Sequence, residues 1–108
     1  MREIKFRVWL KQRDKMVYFD LFEPDRDYII KEEASVREGD PVMQYTGLKD
    51  KNGKEIYEGD ILEYYSMLVA RGSNPIVRDV VKWKHYQWIG INNYNNAEVV
   101  GNIYENKV

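Results

Sequence analysis

Between Tyr45 and Leu62 the chain reads YTGLKDKNGKEIYEGDIL, and Gly47, Gly53 and Gly59 fall six residues apart within it. Each glycine lies between short apolar or aromatic pieces, where a turn or bulge calls for positive φ or a missing Cβ. Asp50 is placed to accept from backbone N–H groups in an Asx-type turn ahead of Asn52-Gly53, and Asp60 to do the same after Gly59. Tyr45 and Tyr57 flank the loop as large amphipathic anchors. Asn52-Gly53 is the strongest hairpin signal in the chain, because both central residues of a primed turn take positive φ. A segment this dense in turns excludes helix and confines the chain to short strands with tight connections.

The rest of the sequence has the same period. Ile4, Phe6 and Val8 alternate with Lys5, Arg7 and Trp9, the pattern of a half-buried strand. Met16 to Phe22 resumes after a charged turn, Tyr28 to Lys31 is a short third strand, and Val42 to Thr46 follows the Gly39-Asp40-Pro41 turn. Ile61 to Ser66 is the next strand. Leu68, Val69 and Ala70 lead into a loop at Gly72 to Pro75. Ile76 to Lys84 and Trp88 to Asn92 form the arms of a late hairpin, and Glu98 to Tyr104 closes the chain. No window carries a capped helical stripe. The expected fold is a single domain over 1–108, all-β, with about seven or eight short antiparallel strands curled into a partly closed barrel, which limits exposed edges.

Charge is segregated along the chain. Residues 1–15 carry six basic groups against Glu3 and Asp14, residues 20–63 carry thirteen acids against six bases, and residues 71–84 carry four bases against Asp79. The ends are basic and the middle is acidic, so the basic segments either join as a patch or neutralise the middle. There is no cysteine, which excludes a disulfide framework or a thiolate metal site and fits a reducing cytoplasm. The opening residues interleave charge with apolar side chains, unlike a signal peptide, and no apolar run is long enough for a membrane helix.

Three blocks, REIKFRVW at the start, MQYTGLKDKNGKEIYEGDIL in the middle and VVGNIYEN near the end, occur in this order and bracket essentially the whole chain. Together they resemble the YopX family of small proteins encoded by bacteriophages and prophages. The resemblance implies an all-β, partly barrel-like domain in the cytoplasm of a bacterial host. It implies no activity, since the family is functionally uncharacterised.

The chemistry-bearing residues point to binding more than to catalysis. Asp50, Glu55, Glu58 and Asp60 are the candidates for a divalent cation, but their spacing is not that of a calcium loop, and turn chemistry explains them better. His85, the single histidine, sits at the expected hairpin tip with no serine or cysteine nearby to activate. We therefore expect no catalytic residue, no metal and no cofactor. Lys5, Arg7 and Trp9 on one strand face, with Lys82, Lys84 and Tyr86 on another, have the mix of cations and rings that single-stranded nucleic acid requires. Lysines on solvent faces and aromatics in strands also arise from packing alone. The leading expectation is a non-enzymatic module that binds a host or phage protein or self-associates into an oligomer, using the Ile4–Trp9 strand as a free edge. A nucleic-acid-binding barrel is the alternative.

Overall fold

The computed structural model describes residues 4–20, 39–66, 72, 74–91 and 93–105. Nine strands cross this region: β1 Lys5–Leu10, β2 Lys15–Asp20, β3 Val42–Lys49, β4 Glu55–Tyr57, β5 Asp60–Tyr65, β6 Ile76–Val80, β7 Lys82–Lys84, β8 Gln87–Ile89 and β9 Glu98–Asn102. A 3₁₀ turn at Tyr94–Asn96 is the one helical element among the described residues. All pairings are antiparallel, in three sheets ordered β2-β1-β3-β4, β6-β5-β9 and β7-β8. The first sheet curls into a half-barrel, so the all-β, partly closed architecture is the one its periodicity predicts. The strand expected at Tyr28–Lys31 and the residues Leu68 to Ala70 lie outside the described region.

Three local expectations are corrected. β1 is not an edge: it pairs with β2 from Lys5↔Asp20 to Leu10↔Lys15 and with β3 through Phe6↔Gln44 and Val8↔Val42. Its backbone is consumed on both sides, so it offers no β-augmentation site. Ile76–Lys84 is not one hairpin arm. The chain breaks at the fully buried Val81, whose N–H donates to Asp60 O at 2.9 Å and whose carbonyl accepts from Gly59 N at 2.8 Å. Those two bonds draw Val81 out of the ladder, leaving β6 to pair with β5 and β7 with β8. Finally, Asn52-Gly53 is not a primed two-residue turn. Asp50 N–H donates to Lys54 O and Gly53 N–H to Asp50 O, with only Gly53 of the pair at positive φ, +81°. This is a three-residue loop, a tight turn followed by a left-handed glycine.

The principal core gathers Ile56, Leu62, Val81, Ala97 and Val99, with Tyr64, Trp88, Ile91 and Tyr94 packed around it. At the far end of β1, Val8, Trp9 and Leu10 are all buried, and Trp9 stacks on Tyr104 at 6.1 Å. Both faces of the strand are therefore covered there, which a period-2 pattern cannot distinguish from one covered face.

Candidate functional site

The Tyr45–Leu62 segment builds a polar hub from its turns. Asp50 is buried, and its carboxylate accepts three backbone N–H groups at 2.9 Å: Asn52 and Lys54 on Oδ1, Val99 on Oδ2. Burial works to raise its pKa, but the N–H donors of Val99, Lys54 and Asn52 outweigh it and hold the carboxyl below its ordinary value. The Val99 bond ties the hairpin loop to β9, so one side chain organises two distant segments.

Gly47, Gly53 and Gly59 all have positive φ, between +81° and +88°. Gly47 lies in a bulge of β3, where Thr46 Oγ1 donates to Ile56 O at 2.8 Å across the disrupted ladder. Gly59 has the strictest requirement: a Cβ there would come within 3.1 Å of Met43 Sδ. Its turn sets Asp60, whose Oδ2 accepts from Tyr57 N at 2.8 Å and whose Oδ1 accepts from Arg7 Nη2 at 2.8 Å. Arg7 and Asp60 are 3% and 2% exposed, so this is a buried ion pair joining the first sheet to the second. Burial pushes the Asp60 carboxyl upward, with Arg7 and the Tyr57 N–H opposing.

Arg7 and Trp9 were expected on an exposed binding face, and the structure buries both. Lys5 is half-buried and pairs with Glu55 at 2.6 Å. The N-terminal cations therefore meet the acidic middle of the chain, because Asp60 and Glu55 stand across from β1 at distances that neutralise them. The other two residues of that expected face, Lys82 and Lys84, are exposed on β7. Of the four cations expected on that face, Lys5 and Arg7 are held by acids, whereas Lys82 and Lys84 face solvent.

Around Arg7 the aromatic anchors converge. Its guanidinium lies 4.9 Å from the centre of the Tyr57 ring, Tyr45 meets Tyr57 at 5.4 Å, and Tyr18 meets Tyr57 edge-on at 5.4 Å. Burial, with the charge of Glu55, pushes the Tyr57 hydroxyl up to about 12. A cavity of about 250 Å³ opens beside this group, lined by Arg7, Tyr18, Tyr57, Asp60, Asn102 and Glu105 among others. Tyr18 and Asn102 carried no sequence signal, since the pairing that brings them to the motif spans half the chain. Among the described residues no three His, Asp or Glu side chains converge as metal ligands. The oxygens of Asp50 and Asp60 are occupied by N–H donors instead.

The second notable element is the β7–β8 hairpin. Lys84↔Gln87 closes a two-residue turn in which His85 (φ +53°) and Tyr86 (φ +62°) are both left-handed. That is the primed geometry, achieved without glycine or asparagine and strained by roughly 1 kcal/mol or more per residue. All six residues from Lys82 to Gln87 are exposed, with Tyr86 at 94% and Trp83 at 52%. Trp83 packs edge-on against Trp88 at 5.0 Å, and Trp88 reaches back to the core. At the root, Gly90 (φ +81°) has Val80 O only 2.4 Å from where a Cβ would stand, a requirement the sequence did not announce.

No helix among the described residues is long and apolar enough to cross a membrane. No curated protein matches the sequence significantly. Among solved structures, the crystal structure of protein EF1440 from Enterococcus faecalis is similar, with a TM-score of 0.59 and 23% identity, covering 95% of this chain and 94% of that one. At that identity the likeness concerns the fold. The YopX protein family matches residues 5–108, a span that takes in β1 with its arginine, the three-glycine hub and the closing β9 strand, and the chain belongs to that family.

Proposed function

We propose that this protein is a non-enzymatic interaction module of a phage or prophage, acting in the cytoplasm of its bacterial host and gripping a protein partner with the β7–β8 hairpin. The observation that carries this reading is the exposure of Trp83 and Tyr86 on a two-stranded finger whose turn is held in a strained conformation. Tryptophan and tyrosine are enriched among the few residues that carry most of the energy in protein interfaces, and backbone strain clusters at functional sites. Lys82 and Lys84 flank the rings and no acid lies between residues 82 and 89, so the complementary surface is acidic. A host or phage protein can supply that surface. So can a second copy of this chain, whose residues 20–63 hold thirteen of its eighteen acids.

The nucleic-acid alternative has less support. Two of the four cations expected to meet phosphates, Lys5 and Arg7, are engaged by Glu55 and Asp60 instead, which leaves Lys82 and Lys84 of that set. The deciding experiment is affinity capture from bacterial lysate, with and without nuclease, using the wild type and a Trp83→Ala/Tyr86→Ala variant. A discrete protein band in both nuclease arms, lost with the variant, is the expected result. Sedimentation of the purified protein identifies the self-associating case. Nucleic acid recovered only without nuclease would replace this reading with the alternative, and capture unaffected by the finger variant would refute the assigned surface.

A further inference from the structure

The turn at Asn52-Gly53 carries chemistry as well as geometry. Asn52 is the one asparagine in the chain that is followed by glycine. In that pairing the next backbone nitrogen has no Cβ beside it and can approach the asparagine side-chain carbonyl. Both residues are exposed, and nothing lies within 4 Å of where a Cβ on Gly53 would stand. Asn74 precedes Pro75, whose nitrogen carries no proton, and every other asparagine precedes a residue whose side chain crowds the nitrogen.

The folded loop holds that nitrogen back. Gly53 N–H donates to Asp50 O at 3.0 Å, so it points into the turn. Closing a ring onto Asn52 Cγ requires rotation about the Asn52 ψ angle, which swings the Gly53 peptide and breaks this bond. Asp50 resists the rotation from both sides, because its Oδ1 accepts the Asn52 and Lys54 N–H groups at 2.9 Å each. The base of the loop is fixed as well: Asp50 N–H donates to Lys54 O, Lys51 N–H donates to Ala97 O, and Asp50 Oδ2 accepts from Val99 N.

We infer that Asn52 is a self-modification site latched by Asp50: its side-chain amide persists while the loop is closed and is lost when the loop opens. In the open loop Gly53 N gives up its proton and attacks Asn52 Cγ. The Cγ–Nδ2 bond breaks, and Nδ2 leaves with that proton as ammonia. Water then opens the five-membered imide and returns one proton to Gly53 N. Addition at Cγ yields aspartate, and addition at the Asn52 main-chain carbonyl carbon yields isoaspartate. Either product places a negative charge between the exposed Lys51 and Lys54. Isoaspartate also inserts a methylene into the backbone of this short loop, which displaces the Asn52 and Lys54 N–H groups from their shared oxygen and loosens the tie to β9.

Incubation at mildly alkaline pH, with each asparagine followed by peptide mass spectrometry, tests the inference on the folded protein and on the same chain in urea. The unfolded chain should convert at Asn52 before any other asparagine. It should do so about tenfold or more faster than the folded protein, where reaction waits on local opening. Asp50→Asn removes one carboxylate acceptor and should convert faster than wild type while its circular dichroism stays that of the folded chain. Asp50→Glu keeps the charge but lengthens the arm; it should also convert faster, and it serves if Asp50→Asn does not fold. Equal rates in the folded and unfolded chains, conversion led by another asparagine, or a folded Asp50 variant no faster than wild type would overturn the inference.

Discussion

Two short stretches, KFRVW in β1 and KWK in β7, have almost the same pattern of cations alternating with large apolar side chains, and they meet opposite fates. In β1 the arginine is buried against Asp60 and the tryptophan packs on Tyr104. In β7 all three residues face solvent. Alternation fixes which residues share a face, but what each face meets depends on segments far away in sequence. Asp60 lies 53 residues from Arg7, while the turn beyond β7 folds back only on β8. The difference teaches that a basic-aromatic strand is a binding surface only where no acidic segment has claimed it.

The contrast can be broken most forcefully at Arg7. Arg7→Met strands the Asp60 carboxylate in the interior and should cost about 4 kcal/mol in urea unfolding, whereas Lys84→Met should change stability by under about 0.5 kcal/mol. Equal effects at the two sites would erase the distinction. Next in size is the finger's root: Gly90→Ala drives a Cβ against Val80 O in a left-handed backbone and should cost about 3 kcal/mol, measured the same way.

A smaller effect, with a pH signature, is expected at Asp50. Its folded pKa lies below its ordinary 3.8, so its stabilisation is complete above the unfolded value and disappears as pH falls through the folded one. Asp50→Asn should therefore cost about 2 kcal/mol at neutral pH, and the gap to wild type should narrow as pH drops below about 4. Asp60 has the opposite sign: burial raises its pKa, so its own contribution declines as pH rises from the unfolded to the folded value. A gap at Asp50 that widens in acid would contradict the three-donor account. The smallest change should be a gain. His85→Asn with Tyr86→Gly places favoured residues in the primed turn and should raise stability by about 1 kcal/mol while weakening partner capture. Increased stability with undiminished capture would separate the strained turn from function.

Much of this organisation was legible in residues whose requirements are local. The six-residue spacing of glycines announced left-handed backbone at Gly47, Gly53 and Gly59, and alternating arms announced a hairpin near His85. The turn type at Asn52-Gly53 was misread because Asp50, two residues earlier, accepts from Asn52 and Lys54 and so starts the loop sooner. Arg7 was expected to be exposed because nothing local says whether a lysine-arginine face meets water or an aspartate. Gly90 looked ordinary, since its constraint is the Val80 carbonyl, visible only once β6 and β8 are brought together. Tyr18 and Asn102 joined the cavity for the same reason.

Six consecutive residues, Lys82 to Gln87, touch solvent while Val81 before them and Trp88 after them are held by the core. Such a segment is a cassette. Beyond the Trp83–Trp88 contact, packing asks little of its composition, so it can diverge while the hub that carries it stays fixed. Proteins that share this scaffold can then differ in what they recognise by exchanging one short loop, and the variable residues of a lineage would collect at its tip.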